Sequence, residues 1–198
     1  MKLGVLGGTF DPIHFGHIRI AEAARKIIGL DKVIFIPTGI PWLKEGTKIT
    51  GANHRMEMVR LATRSNKFFS VSSVEIDRPG NTYTKDTLVE LKRELPISTQ
   101  IFFIIGGDSF NNFSKWKEPE EILSLANLVV IKRPGYSWKQ FNRIDDNVIF
   151  VEGPIVDISG TEIRARVAEG NLLKAMLPKS VEDYIYQHNL YINKENYG

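Results

Sequence analysis

Strand-like and helix-like runs alternate along the whole chain, and this alternation limits the fold more than any other feature. "KLGVLG" (2–7) reads as an apolar strand. "GHIRIAEAARKII" (16–28) then sets Ile18, Ala21, Ala24 and Ile28 at helical spacing, with Gly29 just beyond as a C-cap. "KVIFIPT" (32–38) is a second buried strand, so residues 2–38 form a βαβ unit. After a loop rich in Gly, Pro and Lys (39–53), Asn53 is expected to cap a helix over 54–65. "FFSVSSVEI" (68–76) alternates as a strand does, and "TKDTLVELKREL" (84–95) is an amphipathic helix halted by Pro96. "QIFFIIGG" (100–107) is the most apolar run and therefore central in a sheet. A short helix near 118–125 and strands in "NLVVIKRP" (127–134) and "NVIFVEG" (147–153) follow. The chain closes with helices in "SGTEIRARVAEG" (159–170), where Ser159 and Glu162 have capping-box spacing, and from Ser180 onward.

Such a pattern predicts an α/β fold with a doubly wound, mostly parallel sheet covered by helices on both faces. No repeat, low-complexity segment or linker interrupts it, so a single domain over 1–198 is expected. A chain of 198 residues buries a sizeable core without staples, and the absence of cysteine removes disulfides and thiolate metal sites. No apolar run approaches the roughly 20 residues of a membrane span, and the amino terminus reads as a strand rather than a signal peptide. The net charge of +3 suits an anionic ligand but is too small and scattered to argue for nucleic acid. A cytoplasmic protein that binds neither nucleic acid nor membrane is the expectation, with a homo-oligomer left open.

The first strand runs into "GGTFDPIHFGH" (7–17), where the sheet meets its first helix. In open parallel sheets, ligands bind beyond the carboxyl ends of the strands, opposite helix amino termini. Gly7 and Gly8 let backbone N–H groups approach a phosphate, Pro12 stiffens the turn, and Gly16 removes a side chain where the helix begins. His14 and His17, three residues apart, would share one face at that mouth. A plainer use of the same residues is a tight turn with capping or filling histidines. The P-loop and G-x-G-x-x-G patterns are both absent. A zinc site needs at least three protein ligands, and only His54 and His188 remain as further histidines, so no metal site is expected.

"GGTFDPIHFGH" resembles the HxGH signature of the nucleotidylyltransferase superfamily, and "ISGTEIR" (158–164) resembles its second signature, ISSTxIR. Gly160 replaces the second Ser, while Ser159, Thr161 and Arg164 keep their places. The second stretch is chemically sensible alone, because a helix start with two hydroxyls and an arginine one turn in suits an anion. "NTYTKDTL" (81–88), "GGDSFNNFSKW" (106–116) and "VVIKRPG" (129–135) bring the resemblance closer to the nicotinate-nucleotide adenylyltransferases. That resemblance implies a Rossmann-like nucleotidylyltransferase fold and transfer of AMP from ATP to nicotinate mononucleotide, with release of pyrophosphate in NAD biosynthesis. It implies no resident metal: Mg²⁺ would ride on the ATP phosphates.

The same resemblance assigns roles. His14 and His17 would grip the α-phosphate, and Arg164 the leaving pyrophosphate. Gly7, Gly8, Thr9, Phe10, Gly106, Ser159 and Thr161 would bind ATP. Asp108 would accept from ribose hydroxyls, or alternatively cap the next helix. Arg133 would flank the adenosine or its phosphates. Lys44 stands in "PWLK", where the family commonly reads PPHK. For the acceptor, Thr82 or Thr84 would cap a helix whose N–H groups meet the nicotinate carboxylate, opposed by Asp86 in the same turn. Trp116 would stack on the pyridine ring, with Tyr83 as a wall. Enzymes that use the signature on phosphopantetheine, or on choline or glycerol phosphate with CTP, are the rivals. A non-catalytic nucleotide sensor on the same fold is the rival from outside the enzymes.

Overall fold

The computed structural model describes residues 1–41, 49–132, 146–154 and 157–192. Six strands form a parallel sheet: β1 (Lys2–Gly8), β2 (Lys32–Pro37), β4 (Phe69–Val71), β6 (Gln100–Gly106), β7 (Asn127–Lys132) and β8 (Val148–Glu152). Their order is β4-β2-β1-β6-β7-β8, with every neighbouring pair parallel. The chain winds outward from β1 through β2 to β4, then returns to β6 on the other side of β1. The strand order therefore reverses between β1 and β6, and the crevice at their carboxyl ends is the place where such sheets bind ligands. The strand "QIFFIIG" is central, as its apolar run requires.

Alternation along β6 explains the two-sided cover. Phe102 and Ile104 join one buried cluster with Ala21, Ala24, Met58, Ile163 and Ile185. Ile101, Phe103 and Ile105 point the opposite way, into a cluster with Leu88, Leu91 and Ile122. On the first face lie α1 (Phe15–Ile28), α2 (Ala52–Thr63), α7 (Gly160–Ala168) and α8 (Lys179–Gln187). On the second lie α4 (Thr84–Glu94) and α6 (Pro119–Leu125). Gly29 ends α1 at φ 72°, a left-handed conformation that glycine adopts without a Cβ penalty.

Four local expectations are corrected. The run 68–76 is a strand only over β4; α3 (Val74–Asp77) follows, started by the Ser72 hydroxyl accepting from the Val74 N–H at 3.2 Å. The alternation there marks a buried Glu75 beneath a short helix rather than a continuing strand. Asn53 does not cap α2, because the helix already begins at Ala52 after Gly51. Neither Thr82 nor Thr84 caps α4; Tyr83 holds the cap position without a side-chain bond, and Thr82 instead donates to the Ile40 carbonyl at 3.1 Å. That bond stitches a small parallel pair, β3 (Ile40–Pro41) with β5 (Asn81–Thr82), too short to leave a period in the sequence. Finally, α8 starts at Lys179 after Pro178, and the Ser180 hydroxyl donates to Leu61 of α2 at 3.3 Å.

Candidate active site

A cavity of about 490 Å³ opens at the carboxyl ends of β1 and β6. Its lining joins Gly7, Gly8 and Thr9 after β1 to Gly106 and Asp108 after β6. His14 and His17 form one wall, with Ser159 and Gly160 at the start of α7. Thr84 and Trp116 line it too, at the start of α4 and after a 3₁₀ turn (Phe113–Lys115). Residues 7 to 160 in sequence thus converge on one crevice.

The histidine pair is held by backbone. His14 is the N-cap of α1, and its Nδ1 accepts the Gly16 N–H at 3.1 Å. His17, in the first turn, accepts the His14 N–H on its own Nδ1 at 3.3 Å. The two rings lie 3.8 Å apart, centroid to centroid, tilted by 34°. A neutral imidazole that accepts at Nδ1 carries its proton on Nε2, so both rings present their N–H donors from the far side. The helix start thus uses one nitrogen of each ring and sets the tautomer of the other.

Phe10 stands behind this wall rather than in it. It is 2 % exposed, and its ring meets His17 edge-on at 5.0 Å. Its φ of 48° is a left-handed conformation unusual for a residue with a Cβ. Burial of the ring against Phe35 offsets that strain.

At α7, Ser159 is the N-cap, its hydroxyl accepting the Glu162 N–H at 3.1 Å. The Ser hydroxyl hydrogen remains available for an anion. Arg164 reaches back across the chain: Nη1 donates to the Asp11 carbonyl at 2.7 Å and Nη2 to the Thr161 hydroxyl at 3.3 Å. Thr161 and Arg164 sit just outside the cavity lining, beside Gly160.

No side chain caps α4, so its first N–H groups are presented unclaimed by a capping side chain. Asp86 opposes an anion there, but the Lys117 ammonium approaches its Oδ2 at 3.5 Å and offsets the charge. Lys117 also lies 4.4 Å from the centre of the Tyr83 ring. Trp116 lines the cavity while packing on Phe103 and Phe113, so it is both wall and partial core. Asp108 is exposed within α5 (Gly107–Phe110), which has no side-chain cap, so capping is not what it does. Lys44 and Arg133 lie outside the described residues.

Several residues escaped the sequence reading. Lys132 lines the cavity with its ammonium 3.0 Å from Glu152. Glu75, 7 % exposed, lines it too, and accepts the Thr87 hydroxyl at 2.8 Å. Burial pushes its carboxyl above the ordinary range, against the hydroxyls of Thr87, Thr82 and Thr38 and the charge of Arg78. Arg55 is 1 % exposed and donates to three carbonyls: Thr9 at 2.8 Å, Gly39 at 3.0 Å and Thr50 at 2.8 Å. The signal for Arg55 was present, since it shares the apolar face of α2 with Met58 and Val59.

With its histidine pair at the switch point of a doubly wound sheet, the chain falls in the nucleotidyltransferase class. Residues 5–166 match the cytidylyltransferase-like family. A probable nicotinate-nucleotide adenylyltransferase of Thermoanaerobacter sp. (strain X514) is 46% identical over 209 residues, covering 100% of this chain and 98% of its own. Its counterpart in Roseiflexus sp. (strain RS-1) is 43% identical over 195 residues, covering 96% and 97%. The Plasmodium falciparum nicotinic acid mononucleotide adenylyltransferase complexed with NaAD shares the fold at a TM-score of 0.77 and 20% identity, over 96% and 97% of the two chains. The chain belongs to the cytidylyltransferase-like family and, within it, to the nicotinate-nucleotide adenylyltransferases.

Proposed function

We propose that the chain, as one domain over 1–198, transfers the AMP moiety of ATP to nicotinate mononucleotide, forming nicotinate adenine dinucleotide and pyrophosphate in NAD biosynthesis. The observation that carries this reading is the backbone-held histidine pair facing the same cavity as the start of α4 and Trp116. A phosphate oxygen of the acceptor attacks the α-phosphorus of ATP; the bond to the β-phosphate oxygen breaks, and pyrophosphate leaves with that electron pair. The attacking phosphate monoester, with a second pKa near ~6, is already ionised at neutral pH and needs no general base. Catalysis is then positioning plus charge stabilisation.

In this scheme His14 and His17 donate from Nε2 to the α-phosphate oxygens. The N–H groups of Gly7, Gly8 and Thr9 line the phosphates, and Phe10 steadies His17 from behind. Asp108 accepts from the ribose hydroxyls beside Gly106. Ser159, Thr161 and Arg164 hold the pyrophosphate, with Lys44 and Arg133 as further cations. Mg²⁺ arrives as part of the substrate, Mg-ATP. Trp116 stacks on the pyridine ring, Tyr83 walls it, and the N–H groups around Thr84 meet its carboxylate. These are small soluble substrates, consistent with work in the cytoplasm; among the described residues no helix is long and apolar enough to cross a membrane.

The test is pyrophosphate release from Mg-ATP with nicotinate mononucleotide and nicotinamide mononucleotide supplied in parallel. Release with the acid form alone supports both the reaction and the carboxylate-reading helix start. Equal release with both discards the pocket argument, and silence with both discards the reaction.

A further inference from the structure

Asp11 has no place among the groups just assigned, yet it accepts three hydrogen bonds from outside the turn between β1 and α1. It is 9% exposed. Oδ1 accepts the Tyr191 hydroxyl at 2.7 Å, Oδ2 accepts the Thr50 N–H at 3.3 Å, and the main-chain carbonyl accepts Arg164 at 2.7 Å. Tyr191 comes from 180 residues further along the chain, after α8. It is anchored from both sides, because Leu190 and Ile192 pack with it against the core cluster under α1, α2 and α8. Burial and the Asp11 carboxylate push its phenol above the ordinary range, so the hydroxyl stays a donor.

We propose that Tyr191 is a positioning residue for Arg164: its hydroxyl fixes the Asp11 carboxylate, and the fixed Asp11 carbonyl seats the guanidinium at the start of α7. A carboxylate left without that donor keeps only the Thr50 N–H and the charge of the nearby Arg55 guanidinium, and the turn that presents the carbonyl is held less firmly. The effect is transmitted through one residue, since Tyr191 bonds the side chain of Asp11 and Arg164 bonds its main chain. Nothing in this chain of contacts touches the acceptor side of the cavity, so affinity for nicotinate mononucleotide is not its output. The inference rests on the reading of Arg164 as a phosphate-gripping residue.

A double-mutant cycle tests it, using Tyr191→Phe, Arg164→Ala and the combination, with kcat, both KM values and Tm measured for each. Tyr191→Phe removes only the hydroxyl and should lower kcat about tenfold, as small misplacements of catalytic groups do. The KM for nicotinate mononucleotide should change less than about twofold. In the Arg164→Ala background the same substitution should cost less than about twofold in kcat, because the group it positions is gone. An equal loss in both backgrounds, or a folded Tyr191→Phe with full turnover, would overturn the proposal and leave the proposed reaction standing. Full turnover by Arg164→Ala would refute the role of Arg164 itself. Should Tyr191→Phe fail to fold, Asp11→Asn replaces it in the cycle. The amide presents a donor to either Tyr191 or Thr50, and the same background dependence is expected.

Discussion

A Cβ on Gly160 would stand 2.9 Å from the carbonyl oxygen of Asp11, the same oxygen that accepts Arg164. Real Cβ atoms do not approach backbone that closely, so the residue at this helix start is confined to glycine unless the Asp11 turn moves. The departure from the family's ISSTxIR signature thereby has a local reason: a missing hydroxyl accompanies a close passage between the start of α7 and the turn after β1.

Gly160→Ser, which restores the usual signature, is expected to destabilise the chain by about 1–3 kcal/mol, the usual cost of overpacking. It should also lower turnover by shifting the Asp11 carbonyl away from Arg164. Urea midpoints and steady-state kinetics check both effects; an unchanged midpoint would mean that the Asp11 turn yields freely.

The two histidines should separate by what each does for the helix. His17→Ala is expected to lower kcat about 10²-fold, as loss of an oxyanion donor does, and to cost less than about 1 kcal/mol through the His14 N–H that its Nδ1 accepts. His14→Ala should lower turnover similarly but also cost about 1 kcal/mol, because His14 is the N-cap of α1. Thermal melts beside kinetics distinguish them, and near-normal turnover by His17→Ala would remove it from the mechanism.

The buried carboxyl of Glu75 makes stability fall with rising pH. Its native pKa is raised above the ordinary 4.5, chiefly by burial. The native state therefore holds this proton more tightly than the unfolded chain. The stabilisation is fully present below 4.5 and is lost as pH rises through the native value. Glu75→Gln keeps the neutral form at every pH. It is expected to match the parent chain at pH 4 and to exceed its stability at pH 8, read from urea midpoints. Equal stability at both pH values would show that the three threonine hydroxyls and Arg78 compensate fully for burial.

The sequence and the structure agree where a feature repeats along one element. The apolar run of β6, the helical spacing of Ala21, Ala24 and Ile28, and the Ser159 cap were all readable because local period and tertiary role coincide, whereas Ile18 of the same spacing leaves the core to Ile20. Two expectations failed where tertiary contacts take a side chain from its local use. Thr82 leaves helix capping for a strand-pairing bond to Ile40, and Glu75 sits in a helical turn within an apparently alternating run. The candidate site was legible as two short signatures. Their joint, Asp11 with Tyr191 and Gly160, was not, because contacts across 180 residues leave no spacing to read.

Arg55 binds Gly39 and Thr50 at once. Its guanidinium holds their carbonyls and, at the same time, the Thr9 carbonyl of the turn after β1. One buried guanidinium is thus the shared donor of three separate main-chain segments, and its loss would leave three carbonyls without that partner at once.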